Sequence, residues 1–146
     1  MGIQRMDNVG IVVDDLDAAV AFFGELGMEL EGKGQVGGLV ADHSVGLDGV
    51  VCDIAMMRTP DGHSRLELAK YLSPAAIDAG QRDRPHNTIG MHRVMFKVDD
   101  IEDVVARLRA YGGELVGQIA RYEDSYLLAY VRGPEGIFVG LAQQLG

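Results

Sequence analysis

The stretch Gly90-Met-His-Arg-Val-Met-Phe-Lys-Val-Asp-Asp100 decides the fold because an earlier stretch, Asp7-Asn-Val-Gly-Ile-Val-Val-Asp-Asp15, resembles it. Both have the residue pattern of a half-buried strand, and both end in Val-Asp-Asp before an amphipathic helical pattern. The register that superposes the two stretches also lays Gly27 on Gly112 without a gap. A repeat at a fixed offset predicts two copies of one structural unit.

Each copy is predicted to contain a strand, a helix and then three strands. In the first copy these are residues 3–13, 16–26, 28–34, 50–58 and 63–71, and in the second 90–98, 101–111, 114–120, 125–132 and 137–143. The fold class is therefore α+β, with two tandem βαβββ modules over residues 1–72 and 89–146. Residues 73–88 are predicted to be the linker, with one helical turn near residues 74–79. The glycine-rich residues 35–48 are predicted to be a loop that can act as a mobile lid.

Composition and charge exclude several functional classes. The chain has 146 residues, 47% of them hydrophobic, which is enough for a packed core. Its formal net charge of −9 argues against nucleic-acid partners and anionic membranes, because both require a basic surface. No apolar run approaches transmembrane length, and residues 1–10 are not expected to form a signal peptide. The single cysteine, Cys52, is expected to be a buried, inert thiol, and a cytoplasmic protein is expected.

Side-chain alternation along the predicted strands divides each sheet into two faces. One face is uniformly apolar and is expected to pack on the helices: Val9, Ile11, Leu66, Leu68, Val94, Phe96, Val98, Val139 and Leu141. The other face mixes small, polar, charged and aromatic residues, as a binding cavity does. Its members are Asn8, Gly10, Val12, Arg65, Glu67, Ala69, Arg93, Met95, Lys97, Phe138, Gly140 and Ala142.

Three local motifs accompany the repeat. They are Asn-Val-Gly-Ile-Val-Val-Asp-Asp-Leu at 8–16, Pro-Asp-Gly at 60–62 before Leu-Glu-Leu, and Gly-Pro-Glu-Gly at 133–136 before the last strand. With the duplicated βαβββ order they resemble the vicinal oxygen chelate superfamily, which includes glyoxalases, bleomycin-resistance proteins, methylmalonyl-CoA epimerases and extradiol dioxygenases. The resemblance implies curled sheets that form a cup, often with a divalent metal at its floor. It also implies a homodimer, the commonest symmetric assembly.

The same resemblance implies that metal ligands come from the first and fourth strands of each module. These positions fall on Asn8 and Glu67 in the first module and on Arg93 and Gly140 in the second. Only Glu67 is an ordinary ligand, since an arginine is a permanent cation and a glycine has no side chain. A divalent metal cofactor is therefore disfavoured and none is expected. His92, next to Arg93, is expected to point to the opposite face of its strand.

The resulting hypothesis is that Arg93 takes the place of the metal electrostatically. The protein would then bind a small apolar or aromatic molecule in the cup without a metal, as drug-sequestering members of the family do. The expected ligand-binding residues are Asn8, Met56, Glu67, Arg93, Met95, Tyr130, Phe138 and Gly140. A buried Glu67–Arg93 salt bridge that fills a vestigial site is an equally weighted alternative.

A second function is kept open, namely a glyoxalase-type lyase, isomerase, epimerase or dioxygenase-like enzyme in which Glu67 is the general base. The remaining candidates have weaker support. Met57 and Met91 are expected in the core or the pocket wall, Tyr122 and Tyr126 in an aromatic wall or a dimer contact, and His43 and His63 in solvated loops.

Overall fold

The chain divides into two compact units, residues 1–77 and 78–146, in the computed structural model. The structure describes residues 2–80, 82–90 and 92–146, so Met91, a candidate pocket residue, lies outside it. None of the helices in the described ranges is long and apolar enough to cross a membrane.

The predicted order of elements is confirmed in both units, with small additions. Unit 1 contains β1 (Val9–Val12), α1 (Leu16–Leu26), β2 (Glu29–Gly37), α2 (Leu39–Val45), β3 (Val51–Arg58) and β4 (Arg65–Ser73). Unit 2 contains β5 (Arg93–Lys97), α3 (Ile101–Leu108), β6 (Glu114–Leu115), β7 (Ala120–Tyr122), β8 (Tyr126–Arg132) and β9 (Phe138–Gln144). Short 3₁₀ turns follow α3 at Arg109–Tyr111 and precede β9 at Pro134–Gly136.

Both main helices begin at the second aspartate of a Val-Asp-Asp motif. The Asp15 carboxylate accepts a hydrogen bond from the backbone N–H of Ala18, and the Asp100 carboxylate accepts one from that of Asp103. Each aspartate thus satisfies one of the N–H groups that a helix leaves without a partner in its first turn. The repeated motif is therefore a repeated N-cap, which explains why the two copies share it.

The two sheets have the same topology. Unit 1 has the strand order β1-β4-β3-β2, with β1 parallel to β4 and the other neighbours antiparallel. Unit 2 has the order β5-β9-β8-β6, with β5 parallel to β9 and β7 paired to β8. The registers also correspond, since Gly10 pairs with Glu67 in unit 1 and Met95 pairs with Gly140 in unit 2. The predicted equivalence of Glu67 and Gly140 is thereby confirmed.

The core of each unit lies between its sheet and its helix, as the alternation predicts. In unit 1 the fully buried side chains include Phe22, Phe23, Met57 and Leu68. In unit 2 they include Ile101, Leu108, Val139 and Leu141. The strand β5 is less enclosed than predicted, because Val94 and Phe96 are only half-buried.

Three local predictions are wrong. Residues 35–48 are not a loop, because β2 continues to Gly37 and α2 follows it. The predicted strand 114–120 is two short strands, β6 and β7. The segment 74–79 forms only a turn at residues 74–75 and no helix.

Candidate functional site

One face of the unit 2 sheet carries most of the predicted ligand-binding residues. Strand register aligns Arg93 with Phe138 and Arg132, and Met95 with Gly140 and Tyr130. Further rows align Lys97 with Ala142 and Leu128, and Gln144 with Tyr126 and Tyr122. Because alternate residues of a strand share a face, these side chains form one surface, which we call the unit 2 face.

Arg93 and Tyr130 are joined on this face. The Nη1 atom of Arg93 donates a hydrogen bond to the Tyr130 hydroxyl oxygen at 2.7 Å, and its guanidinium carbon lies 5.7 Å from the centre of the Tyr130 ring. Arg93 is exposed, and its remaining N–H groups have no hydrogen-bond acceptor in the described part of unit 2. Because the tyrosine oxygen accepts from Arg93, its own O–H proton can be donated to another molecule. The pair therefore presents two kinds of donor to an anionic oxygen.

Gly140 occupies a gap between two predicted ligand-binding side chains. A Cβ atom at this position would lie 3.0 Å from the Met95 Cε atom and 3.0 Å from the Tyr130 Cε1 atom. The absence of a side chain therefore lets Met95 and Tyr130 approach each other over β9. The position that the family resemblance assigns to a ligand residue here serves packing.

The segment that was predicted to be a linker covers one end of the unit 2 face. Strand alternation does not reveal this contact. The His86 ring centre lies 4.6 Å from the ring centres of both Tyr130 and Phe138. The Arg132 guanidinium carbon lies 4.7 Å from the Phe138 ring centre. Phe138, one of the predicted ligand-binding residues, is consequently fully buried. The Phe138 ring packs against both His86 and Arg132.

The far end of the unit 2 face carries an exposed aromatic pair. The rings of Tyr122 and Tyr126 are stacked, with their centres 5.3 Å apart and their planes 15° apart. Beside them the Lys97 ammonium group donates a hydrogen bond to the Gln144 side-chain oxygen at 2.9 Å. The unit 2 face therefore has an apolar and aromatic body, with a cation at each end of β5.

The corresponding face of unit 1 carries Asn8, Met56 and Glu67. Glu67 is opposite Gly10 on β1 and Met56 on β3, whereas Asn8 is exposed and lies just before β1 begins. The Glu67 side chain is half-buried and makes no hydrogen bond or ion pair within the described part of unit 1. These three predicted residues thus share a sheet face, with a carboxylate at its centre.

An ion-pair network borders this face of unit 1. Arg65 donates to both carboxylate oxygens of Glu31, from Nε to Oε1 at 2.9 Å and from Nη2 to Oε2 at 3.0 Å. Arg58 donates to Glu29 at 2.7 Å. The hydrogen bond from Arg65, with the attraction of Arg65 and Arg58, holds the pKa of the Glu31 carboxyl below its usual range. Arg65 is thus paired with Glu31, a residue that lies at a bulge in β2 and that strand alternation alone did not reveal.

Other candidate residues are distributed as follows. Cys52 is buried, and burial raises the pKa of its thiol, as do the nearby carboxylates of Asp53 and Glu67, so it is not an activated nucleophile. Met57 is part of the core, whereas Met56 is half-buried on the Glu67 face. His43 and His63 are exposed, as predicted for loop histidines, although His43 lies on α2. His92 is exposed immediately before β5.

The side chains at the family's metal-ligand positions do not fit a divalent metal. Unit 1 offers an amide and a carboxylate, from Asn8 and Glu67, and unit 2 offers the Arg93 guanidinium and Gly140. Arg93 is already a donor to Tyr130, and a guanidinium has no lone pair for a metal. Within residues 2–80, 82–90 and 92–146, no cluster of three or more His, Cys, Asp or Glu side chains is placed to hold an ion.

Comparison with known proteins agrees with the topology. Residues 5–141 match the model of the Glyoxalase/Bleomycin resistance protein/Dioxygenase superfamily. A glyoxalase family protein from Bacillus cereus is 51% identical and superposes with a TM-score of 0.94, over 100% of this chain and 97% of that chain. The protein YwbC of Bacillus subtilis, described as uncharacterized, is 24% identical over 144 residues, which cover 97% of this chain and 98% of YwbC.

A more distant solved structure shares only the fold. A mutant of glyoxalase I from Zea mays is 20% identical, with a TM-score of 0.69, over 97% of this chain and 46% of that chain. The family model spans nearly the whole sequence, and the observed repeat has the topology that the resemblance implies. The chain therefore belongs to the glyoxalase/bleomycin resistance protein/dioxygenase superfamily.

Proposed function

We propose that this protein binds a small aromatic or apolar molecule with an anionic oxygen on the unit 2 face, without a metal ion. The observation that carries the proposal is the Arg93–Tyr130 pair, in which an exposed guanidinium donates to a neutral hydroxyl. An arginine that is not neutralised by a carboxylate within its unit retains the full attraction for an anion. Sequestration of a drug-like molecule is one physiological use of such binding.

The rest of the unit 2 face supports an apolar body for the ligand. Met95 is 49% exposed beside Tyr130, and the stacked Tyr122 and Tyr126 rings are accessible further along the same surface. A flexible thioether next to fixed aromatic rings adapts to flat apolar molecules of different shape. A carboxylate or phenolate on such a molecule would reach the Arg93–Tyr130 pair.

The test is a matched pair of probes, 2-naphthoate and its neutral analogue 2-naphthamide, titrated by calorimetry. We expect naphthoate to bind and naphthamide to bind at least about tenfold more weakly, since one hydrogen bond to a charged group contributes about 1.5–3 kcal/mol. Arg93→Met should abolish this preference for the acid. Equal affinity of the wild-type protein for the two probes would refute the proposal.

A matched control separates the site from general charge effects. Arg121→Met removes the same charge from unit 2 at a surface arginine that pairs with Asp124, and we expect it to retain naphthoate binding. The stability of Arg93→Met tests the alternative in which Arg93 forms a structural ion pair with Glu67. Loss of folding with no change in naphthoate binding by the remaining folded protein would favour that alternative.

A second candidate function is supported by Glu67. A half-buried carboxylate without a hydrogen-bond partner in the described part of its unit is available as a general base. In a lyase, isomerase or epimerase reaction it would take a proton from the carbon next to a carbonyl group. The test is incorporation of solvent deuterium into a panel of α-hydroxy ketones and 2-oxo acids, followed by NMR. Exchange that is lost in Glu67→Gln would establish this activity.

We also expect a homodimer in the cytoplasm. The family membership supports self-association, and all nine residues of the edge strand β2 are exposed. Light scattering should give twice the chain mass of 15.7 kDa. A mass equal to that of a single chain at micromolar concentration would exclude the dimer.

A further inference from the structure

His86 belongs to unit 2 and lies in residues 73–88, the part of the chain that was predicted to be a linker. Three hydrogen bonds join this segment to the rest of unit 2, and a fourth lies within it. Arg132 donates to the backbone oxygens of Arg82, at 2.9 Å, and of Arg84, at 2.6 Å. The Arg82 Nε atom donates to Glu135 at 3.0 Å, and Thr88 donates to the Pro85 oxygen at 2.7 Å. The segment is therefore fixed to unit 2 just before His86, and the Thr88 hydrogen bond closes a turn around His86.

The backbone of the turn before β9 permits this close approach. A Cβ atom on Gly136 would collide with the backbone of Arg82. Gly136 also has a φ of +76°, in the left-handed region that favours glycine. Both properties require glycine at this position, so the path of the segment over unit 2 depends on the sequence of the turn as well as on the Arg132 hydrogen bonds.

His86 and Arg93 both lie close to the ring of the same tyrosine, Tyr130. The His86 ring centre is 4.6 Å from the Tyr130 ring centre, and the Arg93 guanidinium carbon is 5.7 Å from it. His86 is nevertheless exposed, and neither of its ring nitrogens has a hydrogen-bond partner among the residues that the structure describes. Tilted ring contacts with Tyr130 and Phe138, at 58° and 60° between the ring planes, thus hold the imidazole in place and leave its ring nitrogens available.

We infer that His86 is a ligand-binding residue that donates a hydrogen bond to the anionic oxygen held by Arg93 and Tyr130. This inference rests on the proposed function and refines it. An imidazole N–H adds a third donor beside Arg93 and Tyr130. The ligand class is therefore narrowed to aromatic anions whose oxygen atoms can accept three hydrogen bonds, such as aromatic carboxylates. His86 also limits the extent of the ligand at this end of the unit 2 face, because its ring covers Phe138.

The test compares His86→Phe with the wild-type protein, using 2-naphthoate and 2-naphthamide in the same calorimetric titration. Phenylalanine keeps an aromatic ring at this position and removes both nitrogens. We expect naphthoate affinity to fall about tenfold and naphthamide affinity to change by less than about threefold, since only the charged probe uses the full hydrogen bond. In the wild-type protein, the ¹⁵N signals of the His86 ring should shift on addition of naphthoate.

The outcomes distinguish the two proposals. If wild-type protein binds naphthoate with the expected preference and His86→Phe binds it equally well, the role of His86 is refuted and the proposed function stands. If the wild-type protein shows no preference for naphthoate, both are refuted. His86→Ala, which also loses the ring contacts with Tyr130 and Phe138, should bind naphthoate no better than His86→Phe, and a tighter-binding His86→Ala would likewise contradict the inference.

Discussion

At the scale of single residues, equivalent strand positions of the two units carry side chains of different chemistry. Glu67 and Gly140 occupy the same place in their sheets, because Glu67 pairs with Gly10 and Gly140 pairs with Met95, the residue equivalent to Gly10 in the repeat. One presents a carboxylate, and the other lets Met95 and Tyr130 close over the backbone. The two units therefore have the same strands but offer a ligand different chemistry.

Gly140→Ala tests whether this close packing contributes to stability. Alanine in a strand is favoured over glycine by about 0.5–1 kcal/mol, but overpacking costs about 1–3 kcal/mol. The Met95 methyl group can move, whereas Tyr130 is held by Arg93 and His86, so we expect a net loss of about 1 kcal/mol. Chemical denaturation of both proteins measures this difference.

Gly10→Ala is the matched control for that substitution. Gly10 lies on β1 at the place equivalent to Met95, and a Cβ atom there would meet nothing within 4 Å. We expect Gly10→Ala to leave the free energy of unfolding unchanged or to raise it by about 0.5 kcal/mol. If Gly140→Ala and Gly10→Ala had equal free energies of unfolding, the crowding at Gly140 would not affect stability.

At the scale of elements, α2 is the clearest example of structure that a local pattern does not encode. A helix of seven residues is too short to be stable alone, and its Leu39 and Val40 are exposed. The Asp42 carboxylate holds it to the following segment by accepting backbone hydrogen bonds from Gly49 at 3.0 Å and from Val50 at 2.7 Å. The helix is thus stabilised by a contact outside its own span.

Asp42→Ala should therefore loosen α2 without unfolding unit 1. Each hydrogen bond to a charged group contributes about 1.5–3 kcal/mol, so amide exchange over residues 39–50 should accelerate about tenfold or more. Hydrogen–deuterium exchange with mass spectrometry resolves this segment. Asp48→Ala changes a nearby exposed carboxylate and should leave the exchange rate as in the wild-type protein. Equal acceleration in both variants would show that Asp42 has no special role.

The ion pairs beside β2 give a second prediction at this scale, on the pH dependence of stability. The Glu31 pKa is lowered in the folded state, chiefly by its hydrogen bond with Arg65. Its stabilising contribution is therefore complete above the ordinary value of 4.5 and is lost as pH falls through the lower folded value. Urea denaturation at about pH 7 and about pH 4 should show a smaller acid-induced loss in Glu31→Gln than in the wild-type protein.

Glu29→Gln provides the comparison for the same experiment. Glu29 is also bound to an arginine, Arg58, but its side chain is 57% exposed, against 33% for Glu31. Solvent screens the more exposed pair, so the acid-induced loss of stability should stay close to that of the wild-type protein. An identical response of the two variants would contradict the assignment of this pH dependence to Glu31.

Elements with a repeated periodic pattern could be predicted from the sequence, whereas those fixed by distant contacts could not. The limits of α1 at Leu16 and Leu26 follow from its apolar spacing, the Asp15 N-cap and Gly27. The position of His86 was not predictable, because it depends on hydrogen bonds between Arg132 and backbone oxygens that lie 50 and 48 residues earlier in the chain. The bulge that brings Glu31 to Arg65 likewise leaves no signal in strand alternation.

At the scale of the whole molecule, the duplicated chain supplies two sheets with the same order of strands and two different surfaces. The identity of 51% to a glyoxalase family protein supports the fold and family, and the reaction or ligand has to be argued from the side chains. In unit 2 those side chains are a cation, a hydroxyl group and aromatic rings. They favour recognition of an organic anion over coordination of a metal.

This preference predicts how the whole protein responds to added ligands. Naphthoate at about 100 times its dissociation constant should stabilise the folded state by about 2.7 kcal/mol and raise the Tm by several degrees, since it binds only the folded protein. Zinc, manganese, nickel or ferrous ions, added at the same concentration as naphthoate, should not raise the Tm. Treatment of the purified protein with a chelator should not lower it. Elemental analysis of the purified protein should find each of these metals well below one ion per chain. A stoichiometric ion whose removal lowers the Tm, with no response to naphthoate, would show that a metal and not Arg93 organises the site.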